Sequence, residues 1–253
     1  MGIAAGRSTW SPCSLSMLSM VTPIGEASRG HRYPATATWF IGGAALGGVS
    51  LGGLIAGLAV LVRRLSLTGH SVATVTVAAS IVTIASDVRL GGFTLPRIAR
   101  QVDEVWLNRY RGWVYGLGFG WQIGVGLSTY VMTAAVYLMI VLGALTGRPL
   151  VALAVGTGFG LCRGAAVLLG LRLTTPNAIR TLHAWFDAAA TWSLGAAVIG
   201  QSAVLAVGVV AMGGDRLAAV CAACAVGAVP LARRAAGRAR PRRGDTSGSP
   251  APG

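Results

Sequence analysis

Charged side chains are scarce in this 253-residue chain: 11% of residues are charged, seven are acidic, and lysine is absent, so all 21 basic residues are arginine. Charge that sparse cannot cover a water-soluble globule of this size, but it suits a helical bundle solvated by lipid. The four cysteines are too few and too scattered for a disulfide framework, and none of the three histidines has a second ligand at metal-binding spacing. Paired carboxylates inside the apolar runs, a Ser-His-Asp set at a common level and a phosphate-binding glycine loop are also missing. These absences exclude the familiar soluble-enzyme chemistries and call for no metal and no cofactor. The +14 net charge does not imply a nucleic-acid partner, because the arginines lie between and beyond the apolar runs, as topology signals do.

What is present is apolar: 54% of residues are hydrophobic and the mean hydropathy is +0.67. The run from Gly112 to Gly147 carries no charged side chain, well beyond the ~20 residues a helix needs to cross a bilayer. Five breaks divide the apolar sequence into six spans, about Thr38–Val62, Ser71–Val88, one within Trp113–Leu145, Pro149–Leu171, Thr191–Gly213 and Leu217–Ala232. The fold class predicted is all-α, a polytopic membrane bundle of about six transmembrane helices. Residues 1–37 read as a disordered leader or an over-extended gene start, residues 38–232 as the transmembrane domain, and residues 233–253 as a disordered basic tail. Six spans place both termini on one side. Sixteen arginines then fall on that side and four on the other, which puts both tails in the cytoplasm of a bacterial inner membrane.

Two loops carry helical patterns of their own. Ile98, Val102, Val105, Trp106, Tyr110 and Trp113 share one face of a segment whose other face is charged. Thr175 and Pro176 open a second such helix, with Ile179, Leu182, Phe186 and Ala189 on one face. Both read as amphipathic helices at the cytoplasmic interface, either as anchors or as a gate or docking surface. The partners implied are membrane lipids, with a second copy of the chain or a cytoplasmic protein as further possibilities.

Gly116-Leu-Gly-Phe-Gly-Trp-Gln-Ile-Gly124 matches Gly156-Thr-Gly-Phe-Gly-Leu-Cys-Arg-Gly164 at five of nine positions. Gly116, Gly120 and Gly124, like Gly156, Gly160 and Gly164, line one side of a helix and admit a neighbouring backbone. Arg163 is the one charge well inside a span, about 13 Å from the cytoplasmic end at 1.5 Å per residue. Gln122, Gln201, Ser50 and Ser80 fall at comparable depths, so the five predict a polar layer able to bind an anion. Pairing of Arg163 with Asp87 would instead make a structural clamp. Cys221 and Cys224 form a C-x-x-C in the last span, and Cys162 adjoins Arg163; a redox role competes with a plain packing role for all three.

The stretch Arg100-Gln-Val-Asp-Glu-Val-Trp-Leu-Asn-Arg-Tyr-Arg-Gly-Trp-Val-Tyr-Gly-Leu-Gly-Phe-Gly-Trp-Gln122, with Phe159-Gly-Leu-Cys-Arg-Gly164, resembles an uncharacterised family of actinobacterial multi-pass membrane proteins. Span number and glycine-rich helices are more distantly similar to CcdA/DsbD-type thiol–disulfide electron carriers. That likeness implies an inverted-repeat bundle and a cysteine in each of two related helices, each near proline. Here the first span has no cysteine and no proline follows Cys162. The reading that follows is a transporter-like protein handling a small solute, with an anion as one candidate, near Arg163 and Gln122. The alternatives are a membrane scaffold that docks a partner through its cytoplasmic helices, or a CcdA-like electron carrier.

Overall fold

The computed structural model describes residues 1–9, 16–17, 19–96, 109–127 and 133–214, and every regular element among them is helical. In chain order these are α1 (Gly2–Ser8), α2 (Pro23–Ser28), α3 (Tyr33–Arg64), α4 (Gly69–Val88), α5 (Gly112–Val125), α6 (Ala135–Leu145), α7 (Pro149–Gly164) and α8 (Pro176–Ala211). A 3₁₀ segment, Ala165–Arg172, prolongs α7. Threonine hydroxyls open three helices by accepting a first-turn N–H: Thr22 from Gly25, Thr68 from Ser71 and Thr175 from Ala178. Proline occupies the first turn of α2, α3, α7 and α8, where its missing N–H costs nothing.

Four described helices are long and apolar enough to cross a membrane: α3, α4, α7 with its 3₁₀ extension, and α8. Their outward faces carry Leu46, Leu54, Leu61, Trp192 and Val207, all exposed, as lipid-facing surfaces do. α3 is the spine. Its Gly43 and Gly47 lie against the backbones of Leu117 and Trp121 in α5, and its Gly48 and Gly52 against Gly156 and Leu153 in α7. The contacts give the directions: α5 runs with α3, whereas α7 runs against it. α4 packs on α8, with Gly208 of α8 beside Thr76 and Val77.

Two features differ from the six-span expectation. The run within Trp113–Leu145 is two helices rather than one, because Gly126 adopts a left-handed conformation (φ +72°) that ends α5. The amphipathic segment opened by Thr175 is not separate from the fifth span; nothing between Pro176 and Ala211 breaks a helix, and α8 runs through both. Within the first 37 residues, α1 and α2 pack on the bundle. Ala4, Ala5 and Glu26 are buried, and Arg7 donates to Ala190 O and Ser193 Oγ of α8. The helix expected from Ile98 through Val105, the span Leu217–Ala232 and the tail from residue 233 lie outside the described residues.

Candidate functional site at an interrupted helix

α5 and α6 lie end to end along the spine. A methyl group on Gly120 of α5 would strike Phe40 O of α3, one on Gly143 of α6 would meet Ile55, and Gly147 just beyond α6 is beside Arg63. The two short helices therefore cover the length that one long helix was expected to cover. Between them, two helix ends face the protein interior. An open helix end inside a bilayer leaves backbone N–H and C=O groups unpaired, which is tolerated only where protein groups satisfy them.

Asp87, the penultimate residue of α4, serves the starting end of α6. Its Oδ1 accepts the Ala134 N–H at 2.7 Å, and its Oδ2 accepts Thr133 Oγ1–H at 2.6 Å and Gln201 Nε2–H at 2.7 Å. Thr133 Oγ1 in turn accepts the Ala135 N–H at 3.2 Å. A carboxylate is thereby fixed at the positive end of the α6 dipole. Arg163 of α7 stands at the other lip. A methyl group on Gly126 would lie 3.3 Å from its Nη1, and its guanidinium sits 5.7 Å from the Phe159 ring centroid. A cation beside the last turn of α5 complements the negative end of that dipole, and the ring face adds a cation–π contact. Asp87, Gln201 and Arg163 are all buried. The arrangement is an electrostatic bracket around a break, with one charge of each sign at the helix end it suits.

Among the described residues, Ser50, Ser80 and Gln201 of the expected polar layer turn to partners outside it. Ser50 is exposed, donates to Leu46 O one turn back and accepts Trp121 Nε1–H at 3.2 Å. Ser80 is buried and donates to Thr76 O at 2.8 Å within its own helix. Serine hydroxyls satisfied one turn back have no need of a distant partner. Gln201 turns to Asp87, and its Oε1 has no hydrogen-bond partner among the described residues. Gln122 is half-buried on α5. Cys162 is exposed on α7, and Cys221 and Cys224 lie outside the described residues. Gly120 and Gly124 face Phe40 and Ala44 of the spine, and Gly156, Gly160 and Gly164 face Gly52, Gly48 and Ala44. Gly116 lies beside Thr36 and Trp39.

Sequence reasoning missed a second buried carboxylate. Glu26 of α2 is fully buried; its Oε1 accepts from Arg29 Nη1 at 2.9 Å, and its Oε2 accepts from Thr36 Oγ1 and Tyr115 Oη. His31 Nδ1 lies 4.0 Å from the same carboxylate. The network ties α2 to the starts of α3 and α5. A signal was there: Thr22-Pro23 followed by Glu26 has the cap and acidic first turn of a helix start, which argues for an ordered segment. No group of three metal-ligating side chains occurs among the described residues.

No protein-family model matches the chain, and no solved structure gives a significant match. The chain is similar to several proteins named methylamine utilization protein MauF. It is 28% identical to that of Methylophilus methylotrophus over 205 residues, covering 79% of this chain and 68% of the relative. For Paracoccus denitrificans the identity is 30% over 162 residues, covering 62% of this chain and 56% of the relative. For Paracoccus versutus it is 30% over 182 residues, covering 69% and 64%. The last two matches span less than two thirds of the relatives' own lengths.

These matches correct the resemblance to an uncharacterised actinobacterial family and to CcdA/DsbD-type carriers, and with it the transporter-like reading. The relatives are named for methylamine utilization, not for solute transport. The scaffold and electron-carrier alternatives fit no better. Span number and glycine-rich helices misled because close helix packing demands them whatever a membrane protein does. In the longest of the three matches, the similarity to a methylamine utilization protein extends over 79% of the chain.

Proposed function

We propose that this chain is an integral membrane component of methylamine utilization and works there with other proteins of that process. The similarity over 205 residues to a methylamine utilization protein carries the proposal. The structure is consistent with it in kind: helices suited to lipid, with buried charges engaged in holding the bundle together. Those groups offer positioning rather than bond-making chemistry.

The finer membrane arrangement belongs to the same proposal. α3, α4, the α5–α6 pair, α7, α8 and residues 217–232 make six crossings of a bacterial inner membrane, with both tails in the cytoplasm. The excess of arginine on one side supports this count. The deciding experiment is deletion of the gene in its own host. Growth with methylamine as sole carbon source should fail, growth on succinate should be unaffected, and the intact chain supplied in trans should restore the first. Undiminished growth of the deletion strain on methylamine would overturn the assignment.

A further inference from the structure

Where α3 and α5 begin side by side, a cavity of about 400 Å³ opens at the surface, lined by His31, Arg32, Thr36, Trp39, Arg111 and Trp113 among others. We propose that it binds the phosphate group of an anionic lipid. Arg32 and Arg111 are the residues that precede the two helices, and neither side chain caps its helix. Neither guanidinium has a hydrogen bond or ion pair among the described residues. Among the described residues, the Glu26 carboxylate at this end of the bundle is already engaged by Arg29, Thr36 and Tyr115. Among the described residues, the cavity therefore presents two guanidinium groups with no counter-charge of their own, and guanidinium forks match phosphate oxygens. The same pair excludes a cation such as methylammonium.

The indoles point to the source of the phosphate. Trp39 and Trp113 are about half exposed, and their rings lie 6.2 Å apart on the outer surface of the bundle. Tryptophan collects at the headgroup level of a bilayer, where one part of the ring is in hydrocarbon and the N–H is wet. Arginine pockets between membrane helices receive lipid headgroups in the same zone. A second cationic hollow, at the opposite end of α3, holds Arg63 and Arg148 but no aromatic side chain, and there Arg63 complements the C-terminal dipole of α3. Arginine and tryptophan coincide at the first cavity and not at the second. The inference stands independently of the methylamine assignment.

Native mass spectrometry of the full chain in dodecyl maltoside, titrated with phosphatidylglycerol, phosphatidylcholine or glycerol 1-phosphate, tests it. Phosphatidylglycerol should bind in preference to phosphatidylcholine, and R32Q/R111Q should weaken that binding on the order of tenfold. R89Q/R180Q, with the same loss of charge elsewhere, should bind as the parent does. If the double variant is not monodisperse, R32Q and R111Q are compared singly. Unchanged phosphatidylglycerol binding in R32Q/R111Q, or an equal loss in R89Q/R180Q, would overturn the site. Glycerol 1-phosphate binding as tightly as the lipid would overturn the lipid assignment in favour of a soluble phosphate.

Discussion

Asp87 accepts three hydrogen bonds from two other parts of the chain, Thr133–Ala134 and Gln201, so its removal leaves three donors behind. Asp87→Ala should lower stability by about 1–3 kcal/mol, the cost of buried groups left unsatisfied. Thr133→Val removes a single hydroxyl and should cost about 1 kcal/mol. Thermal melting in detergent, followed by size-exclusion fluorescence, reads both; equal melting of Asp87→Ala and the parent would show that the bracket does not hold. The interior position of Arg163 and Gln201 was legible in the sequence from depth alone. Their neighbours were not. Pairing of Asp87 with Arg163 was one of two alternatives open in the sequence; among the described residues Asp87 serves the α6 end and Gln201, and nothing in local sequence showed that an open helix end lay nearby. Glu26 was missed because a Ser- and Pro-dotted leader gives no periodic signal, even when one carboxylate in it is buried.

Helices pack here by bringing backbones together, and the glycines say where. A methyl group on Gly120 would collide with Phe40 O, and one on Gly160 with Ala44 O, whereas Gly57 has nothing within 4 Å. Gly120→Ala and Gly160→Ala should each destabilise by on the order of 1–3 kcal/mol through forced separation of helices. Gly57→Ala should be neutral or stabilising by roughly 0.5–1 kcal/mol, since alanine is the better helix former. The same melting assay ranks the three, and a cost at Gly57 equal to that at Gly120 would refute the packing argument. The repeated glycine motif was visible in the sequence as a spacing. The break between α5 and α6 was not, because Gly126 is one glycine among several in that run, and only its left-handed backbone distinguishes it.

For the molecule as a whole, composition pointed to helices long and apolar enough to cross a membrane, but not to their partition into crossings. An uncharged run tells how much chain lipid can accept, not where that chain bends, so one expected span became two helices. Alkaline phosphatase and green fluorescent protein fusions after residue 68 and after residue 147 should report the periplasm. Fusions after residue 93 and after residue 253 should report the cytoplasm. Opposite signals from the 93 and 253 fusions would remove the six-crossing arrangement. Purpose was less legible than architecture, since an interior arginine and glycine-lined helices serve any tightly packed bundle. The direction toward methylamine came from kinship with named proteins, not from a chemical constellation in the chain.

The spine has a genetic corollary. Glycine is encoded by GGN, and a missense change in the first or second base of that codon always adds a side chain. Where the main chains of α3, α5 and α7 touch, every such change inserts atoms into occupied space, so a saturation mutagenesis library selected for membrane yield should retain mainly silent third-base changes at Gly47, Gly48, Gly52, Gly120 and Gly160. Drift should instead accumulate at exposed glycines with open space around them, such as Gly53 and Gly57, leaving a narrow track of slow substitution that traces the buried seam through an otherwise permissive gene.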